Sequence, residues 1–531
     1  MQRVLLLLMR ALLVSGSVLA LSAGVGTALG DKRDDVTHNV LGAPAPAANA
    51  SWAAGPKVKT GAAICTTPTQ YGANVNTDCE AGIHNETSIA VNPTNEQNMI
   101  GGANDYQGRL SPGGHLSVSI LSRAHVTFDG GKTWAEYPIN SNSAYLATGD
   151  PAVAFDASGR AYYATLGFRF AGPNALNPDV LVANSGDGGK TWAVSRIATG
   201  SGNFKSVGDF LDKEYIAAWG DGNAIVTFGL FKLGPRGEFL SARILSSVTH
   251  DGGASWSSSR IISGTLDSSF AAVPTVAADG RIYATFLNTT DLVTGRDDYE
   301  VVELSPATGA RVAGPFKVAT TIDGFNDYPI AFGRQTYQDS IFRSWAAGNI
   351  TADPTNPTHL AVVWSDMRNS ALPAPADPYT ATTNSDVIVS QSFDGGRTWS
   401  TPVALTLVGD QFMPWGAYDS AGLLRIGFFD RQYDGANHEY GYTLATETSA
   451  GALAFSMSEL TTARSDPTKG NVWFAETLDA SYPFATTFMG DYSNIAAVPS
   501  GGVIAYWTDL RENACFAGCG HGQDAYFDVA P

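Results

Sequence analysis

A chain of 531 residues, 44% hydrophobic and only 15% charged, can bury a large core. Its 50 acidic residues against 32 basic ones leave a net charge of −18, which excludes a nucleic-acid partner, since that needs a basic footprint. The 57 glycines and 26 prolines announce many turns and are scattered rather than low in complexity.

Residues 1–30 place Arg3 ahead of an apolar run that ends in small residues, the layout of a secretory signal peptide. Cleavage fits near Ala20 or near Gly30. A membrane anchor is the alternative, weakened by Arg10 and by the Ser and Gly of the second half. The expectation is a secreted, extracellular protein with no membrane contact after cleavage. Residues 31–60 are rich in Ala, Pro and Gly without periodicity and read as a flexible linker.

The four cysteines, Cys65, Cys79, Cys515 and Cys519, suit an exported chain with two disulfides. Three pairings exist. The local one, Cys65 with Cys79 and Cys515 with Cys519, is preferred; a crossed pairing would staple the two ends of the domain. A zinc site competes, but neither spacing has the two-residue form such sites favour.

From Glu86 onward one pattern recurs: a short strand, a turn, and a second strand rich in β-branched and aromatic residues. Seven copies begin at Glu86, Gly149, Leu211, Ala272, Ala347, Trp415 and Gly490. Between copies stands a second repeat, VTFDGGKTW at 126–134, then NSGDGGKTW, VTHDGGASW and QSFDGGRTW. Its aspartates (Asp129, Asp187, Asp251, Asp394) can accept amides of their own turn. Its glycines tolerate positive φ. Its tryptophans (Trp134, Trp192, Trp256, Trp399) bring a large apolar face to pack between sheets. A motif repeated four times reads as a structural corner rather than a catalytic loop.

One unit is therefore strand, turn, strand, loop, strand, DGG turn, strand. The expected fold is all-β, a β-propeller of four-stranded antiparallel blades, seven in number with six as the alternative, in one domain over 61–531. Two degenerate corners are expected at Ser305–Ala310 and Ser449–Ala452. The seventh copy has only one further strand-like run, Asp524–Val529, so the segment before Glu86 is expected to supply its fourth strand and close the ring.

These repeats resemble the Asp-box, or bacterial neuraminidase repeat (BNR), of sialidases and related secreted propellers. The resemblance runs from about Glu86 to the C-terminus. It implies an exported propeller related to exo-α-sialidases and other glycoside hydrolases, with the boxes on the face opposite the active site. The chain departs from that family in its seven copies, where sialidases carry six blades. It also lacks the Phe/Tyr-Arg-Ile-Pro motif whose arginine binds substrate carboxylate. Asp-box propellers also include xyloglucan hydrolases and non-enzymatic assembly factors, so fold and reaction are separate questions.

The face opposite the DGG turns collects loops with many carboxylates. Glu86, Asp150, Asp209, Asp212, Glu214, Asp327 and Asp491 fall where first strands are entered; Asp105, Asp366, Asp430 and Asp509 fall where second strands are left. Arg368, Arg431 and Arg511 occupy matching places and could converge on a carboxylate, as the resembled family's arginine triad does. The alternative is that each pairs with Asp366, Asp430 or Asp509 nearby. The resemblance also implies a tyrosine nucleophile with a carboxylate partner and a general acid. Tyr492 is the candidate nucleophile, Glu214 its partner, and Asp105 or Asp150 the acid. Trp415 could stack on a sugar or belong to the core.

The carboxylates could hold Ca²⁺, though no EF-hand spacing supports it. The eight histidines show no metal-ligand spacing, so no metal site is expected. GxSxG, P-loop and HExxH motifs are missing. The function expected is a secreted sialidase-like glycoside hydrolase acting on terminal sugars of extracellular glycans; the alternative is a non-catalytic Asp-box propeller binding glycan or protein partners, in either case as a monomer.

Overall fold

Runs such as LAVVWSD (Leu360–Asp366), DVIVSQS (Asp386–Ser392) and VIAYWTD (Val503–Asp509) are buried along their whole length. β-Branched and aromatic residues covered on both faces suit strands packed between neighbouring sheets. The computed structural model describes residues 61–80, 82–110, 116–139, 144–171, 174–204, 207–291, 293–331, 334–371, 377–469, 475–476, 485–486, 488–515 and 519–530. The signal segment and linker read over 1–60 lie outside them. Among the described residues no helix is long and apolar enough to cross a membrane.

Seven antiparallel blades follow in chain order. Their first strands are Ile83–Val91, Ala147–Phe155, Gly208–Trp219, Ser269–Val276, Asn349–Ala352, Gln411–Tyr418 and Asn494–Ala497. Each touches the first strand of the next blade, and the seventh touches the first, so these strands line the axis. The outer strand of blade 7 is Val75–Asn76, which pairs with Tyr526 and Phe527 of the C-terminal strand. Just upstream, Cys65–Thr66 adds a fifth strand to the outside of blade 1. The N-terminal segment thus spans the seam between first and last blades, and the Cys65–Cys79 disulfide ties it. Cys515 stands opposite Cys519 in a backbone hairpin; their side chains lie outside the described ones. The turns at Ser305–Ala310 and Ser449–Ala452 join third to fourth strands in blades 4 and 6.

The DGG turns do the same in blades 1, 2, 3 and 5. In the first, the Asp129 carboxylate accepts the amides of Lys132 and Thr133, both at 3.0 Å, and the hydroxyls of Thr127 and Thr133. Such bonds hold Asp129 and Asp187 below the usual carboxylate range against the opposing effect of burial. They bring Asp394 down to about 2. In Asp251 the Ser255 hydroxyl is the largest cause of a fall to about 2. The indoles of Trp134, Trp192 and Trp399 donate to the carbonyls of Gly131, Gly189 and Gly396. Gly131 has φ 93°, and a Cβ there would stand 2.3 Å from Phe527 of blade 7, so only glycine fits. Trp134 packs on that same blade, 5.1 Å from Phe527 and 6.3 Å from Tyr506 between ring centroids. The tryptophans are wedges between successive blades.

The first strands of blades 1, 2, 3, 4 and 6 each carry a bulge, where the register with the second strand slips. At each bulge a residue other than glycine takes a left-handed backbone: Glu86, Asp150, Lys213, Ala271 and Met413. That conformation costs on the order of 1 kcal/mol per residue. A bulge re-aims the side chain it carries, and three of the five are charged.

Candidate functional site at the propeller axis

The bulges bring Glu86, Asp150 and Lys213 together. The Lys213 ammonium lies 3.1 Å from Glu86, 2.9 Å from Asp150 and 2.6 Å from Asp491, which precedes the first strand of blade 7. Arg343, from the long connection into blade 5, grips Asp491 with two guanidinium nitrogens, Nε to Oδ1 at 2.6 Å. Asn104 donates to Glu86 and accepts the Asp150 amide. All of these residues are buried.

Burial alone would lower Lys213, but Asp150, Asp491 and Glu86 hold it well above its usual range. Burial would raise Asp491, yet Arg343 and Lys213 keep it below the carboxylate range. Glu86 goes the other way, pushed well up by burial and then by Asp150. Asp212 and Glu214 flank Lys213 in sequence. Both carboxyls are buried, and none of their four oxygens has a hydrogen-bond partner. Burial, then Asp150, brings Asp212 up to about 8 and raises Glu214 well above normal. Asp212 therefore carries little charge at neutral pH, which lowers the anionic load on two cations.

On the DGG side of the cluster lies an axial cavity of about 210 Å³. Tyr215, Trp415, Asn349, Thr351, Ser88 and Asn494 are among its walls, and among the described residues no ionisable group but Tyr215 lines it. Tyr215, a wall of the cavity, packs against Tyr492 with ring centroids 5.7 Å apart, and the Lys213 ammonium lies 5.5 Å from the centre of the Tyr492 ring.

Tyr492, Glu214 and Asp150 share the axial cluster. The Tyr492 hydroxyl donates to the Pro151 carbonyl at 3.0 Å. Burial, helped by Glu86 and Asp150, pushes it well above the usual phenol range. Asp105 lies elsewhere, on Arg123 at 3.0 Å and beside His84. Glu86, Asp150, Asp212 and Glu214, read as loop residues, sit inside first strands, because the bulges extend the pairing past them.

The arginines do not meet. Arg368 takes Asp366 with Nε at 2.9 Å and Nη2 at 2.7 Å, and Arg511 takes Asp509 at the same two distances. In both, a tryptophan two residues before the aspartate donates to it at 2.9 Å (Trp364, Trp507). Trp-x-Asp-x-Arg is thus a second structural repeat. Arg431 is one residue out of step and so faces the other way; it binds Asp410 and the carbonyls of Gln338 and Asn437, while Gln432 holds Asp430. Trp415 lines the axial cavity, 5.8 Å from Tyr215.

Lys213 and Arg343 were missed as site residues. Aligning the first-strand copies puts Lys213 in line with Glu86 and Asp150, a cation between carboxylates at one repeat position. Arg343 lies outside the repeats and left no such signal.

No protein-family model matches the chain, and no curated protein matches it. Among solved structures, a protein of unknown function from Dyadobacter fermentans is 11% identical, covering 87% of this chain and 99% of its own, with a TM-score of 0.43. The NanB sialidase from Streptococcus pneumoniae is 9% identical over 88% and 99%, TM-score 0.41. An alpha-L-arabinanase of Penicillium chrysogenum is 11% identical over 87% and 98%, TM-score 0.40. Likeness at this level carries no argument about activity.

Proposed function

We propose that the chain is a secreted, non-catalytic propeller of Asp-box type that binds an extracellular glycan or glycoprotein as a monomer. One observation supports this reading above others: most of the groups a sialidase-like site would use are already consumed by the fold. Arg368, Arg431 and Arg511 each hold a carboxylate of the chain itself. Tyr492 spends its proton on a backbone carbonyl, and Asp150 is locked to Lys213. A substrate carboxylate would have to displace those partners.

A second reading, a sialidase-like glycoside hydrolase acting on terminal sugars, draws on Asp212 and Glu214. Buried carboxyls raised in this way, Asp212 to about 8 and Glu214 upward by burial and then by Asp150, move toward what a general acid needs. The test is hydrolysis of a panel of fluorogenic glycosides by the mature protein beside its Tyr492→Phe and Glu214→Gln variants, with glycan-array binding measured in parallel. The binding reading expects no turnover by any of the three and array binding that survives both substitutions. Release from the sialoside that disappears in either variant would replace it with the hydrolase.

A further inference from the structure

A second buried cluster lies off the axis, under the seam that closes the ring. Asp78 comes from the N-terminal segment next to the Cys65–Cys79 disulfide. His84 is on the first strand of blade 1, His125 on its third (Leu116–Thr127) and Glu136 on its fourth (Ala135–Pro138). One donor atom from each of the four lies within 4.8 Å of the other three. The side chains of His84 and His125 are fully buried, that of Asp78 is 2% exposed, and Glu136 is buried.

Five buried atoms here make no hydrogen bond: Asp78 Oδ1, both ring nitrogens of His84, His125 Nε2 and Glu136 Oε2. His84 Nδ1, His84 Nε2 and Asp78 Oδ1 do face ion-pair neighbours at 3.1–3.4 Å (Asp78, Asp105 and His125), but leaving one such group without a hydrogen bond costs about 1–3 kcal/mol, so the set, with His125 Nε2 and Glu136 Oε2, calls for a partner. Asp78 also sits between the two imidazoles. Asp78 Oδ2 is 3.1 Å from His84 Nδ1, and Asp78 Oδ1 is 3.2 Å from His125 Nδ1, without hydrogen-bond geometry. The outer atoms are anchored as metal ligands usually are. Glu136 Oε1 accepts the Cys79 amide at 2.8 Å, Asp78 Oδ2 accepts the Ala525 amide at 2.7 Å, and His125 Nδ1 meets the hydroxyls of Thr77 and Tyr506 at 2.8 and 2.9 Å, which leaves Asp78 Oδ1, His125 Nε2 and Glu136 Oε2 for the ion.

We propose that Asp78, His84, His125 and Glu136 bind one first-row divalent cation, with zinc the best fit to two imidazoles and two carboxylates. The cation pins the N-terminal segment to blade 1 while that segment completes blade 7, so it is a second staple beside the disulfide. Calcium, which takes oxygen ligands, does not suit this donor set. Sequence spacing concealed the site because its ligands come from four separate strands and segments.

The test uses the full mature protein, purified without chelator and equilibrated with zinc. Elemental analysis should find about one zinc per chain. Stripping with dipicolinate should lower the melting temperature, and Zn²⁺, but not Mg²⁺ or Ca²⁺, should restore it. The Glu136→Gln variant keeps the carbonyl oxygen that accepts the Cys79 amide and should bind zinc at least tenfold more weakly; His84→Ala should lose it. Should His84→Ala fail to fold, calorimetric titration of the stripped parent with Zn²⁺ decides alone. No zinc retained and no thermal response to it, or saturation by Ca²⁺ only, would overturn the proposal.

Discussion

Lys213 of blade 3 reaches across the axis to Asp491 at the entry to blade 7, Nζ to Oδ2 at 2.6 Å. The same ammonium holds blade 1 through Glu86 and blade 2 through Asp150. Blades distant in sequence are thus joined at one atom. The strain of three left-handed residues is the local cost of aiming those side chains inward.

Asp212 gives the fold a pH signature. In the folded chain it keeps its proton up to about pH 8, while an unfolded aspartate loses it near about 3.9. Between those limits the unfolded state binds fewer protons, so this group makes stability fall as pH rises. Asp491 acts oppositely, since its depressed carboxyl contributes stability that is lost only in acid. Asp212→Asn should flatten the decline between about pH 5 and 7 by up to about 1.4 kcal/mol per pH unit. Urea unfolding at a series of pH values measures it; an unchanged slope would refute the assignment.

The tryptophan wedges should differ in weight. Trp134 is 1% exposed, with its indole bonded to Gly131, whereas Trp256 is half-buried and its indole lacks a partner. Trp134→Ala should cost about 3–5 kcal/mol, and Trp256→Ala less than half of that. Equal losses in denaturant unfolding would mean the wedges do not work through packing.

Much of this was legible in the sequence. The DGG turns and the seven strand pairs carry their own chemistry at a regular repeat, so blade count and strand order followed from local pattern. The axial cluster was only half visible. Its carboxylates stood out, but bulges moved them from the expected loops into strands, and a bulge has no clear sequence mark when its residue is Glu, Asp or Lys. The arginines misled because Arg368, Arg431 and Arg511 look alike in sequence. One residue of offset turns Arg431 to the opposite face, and the carboxylate two residues before Arg368 and Arg511 outcompetes any distant anion.

The disulfide should matter through the seam. Cys65 and Cys79 are 14 residues apart, and a loop of that size contributes about 3 kcal/mol. The Cys65→Ser/Cys79→Ser variant should unfold at lower urea concentration. Its Val75–Asn76 strand, the outer edge of blade 7, should also lose amide-exchange protection before the inner strands do. Uniform loss of protection across all blades would show that the segment is not a local closure.

The most direct measurement compares urea unfolding of the parent, Lys213→Met, and Lys213→Met combined with Glu86→Gln and Asp150→Asn. If the axial charges hold the ring, the single variant strands buried carboxylates and loses about 3–5 kcal/mol, and neutralising two of them recovers at least half. A single variant that unfolds at the same urea concentration as the parent would contradict a structural role for the axial charges.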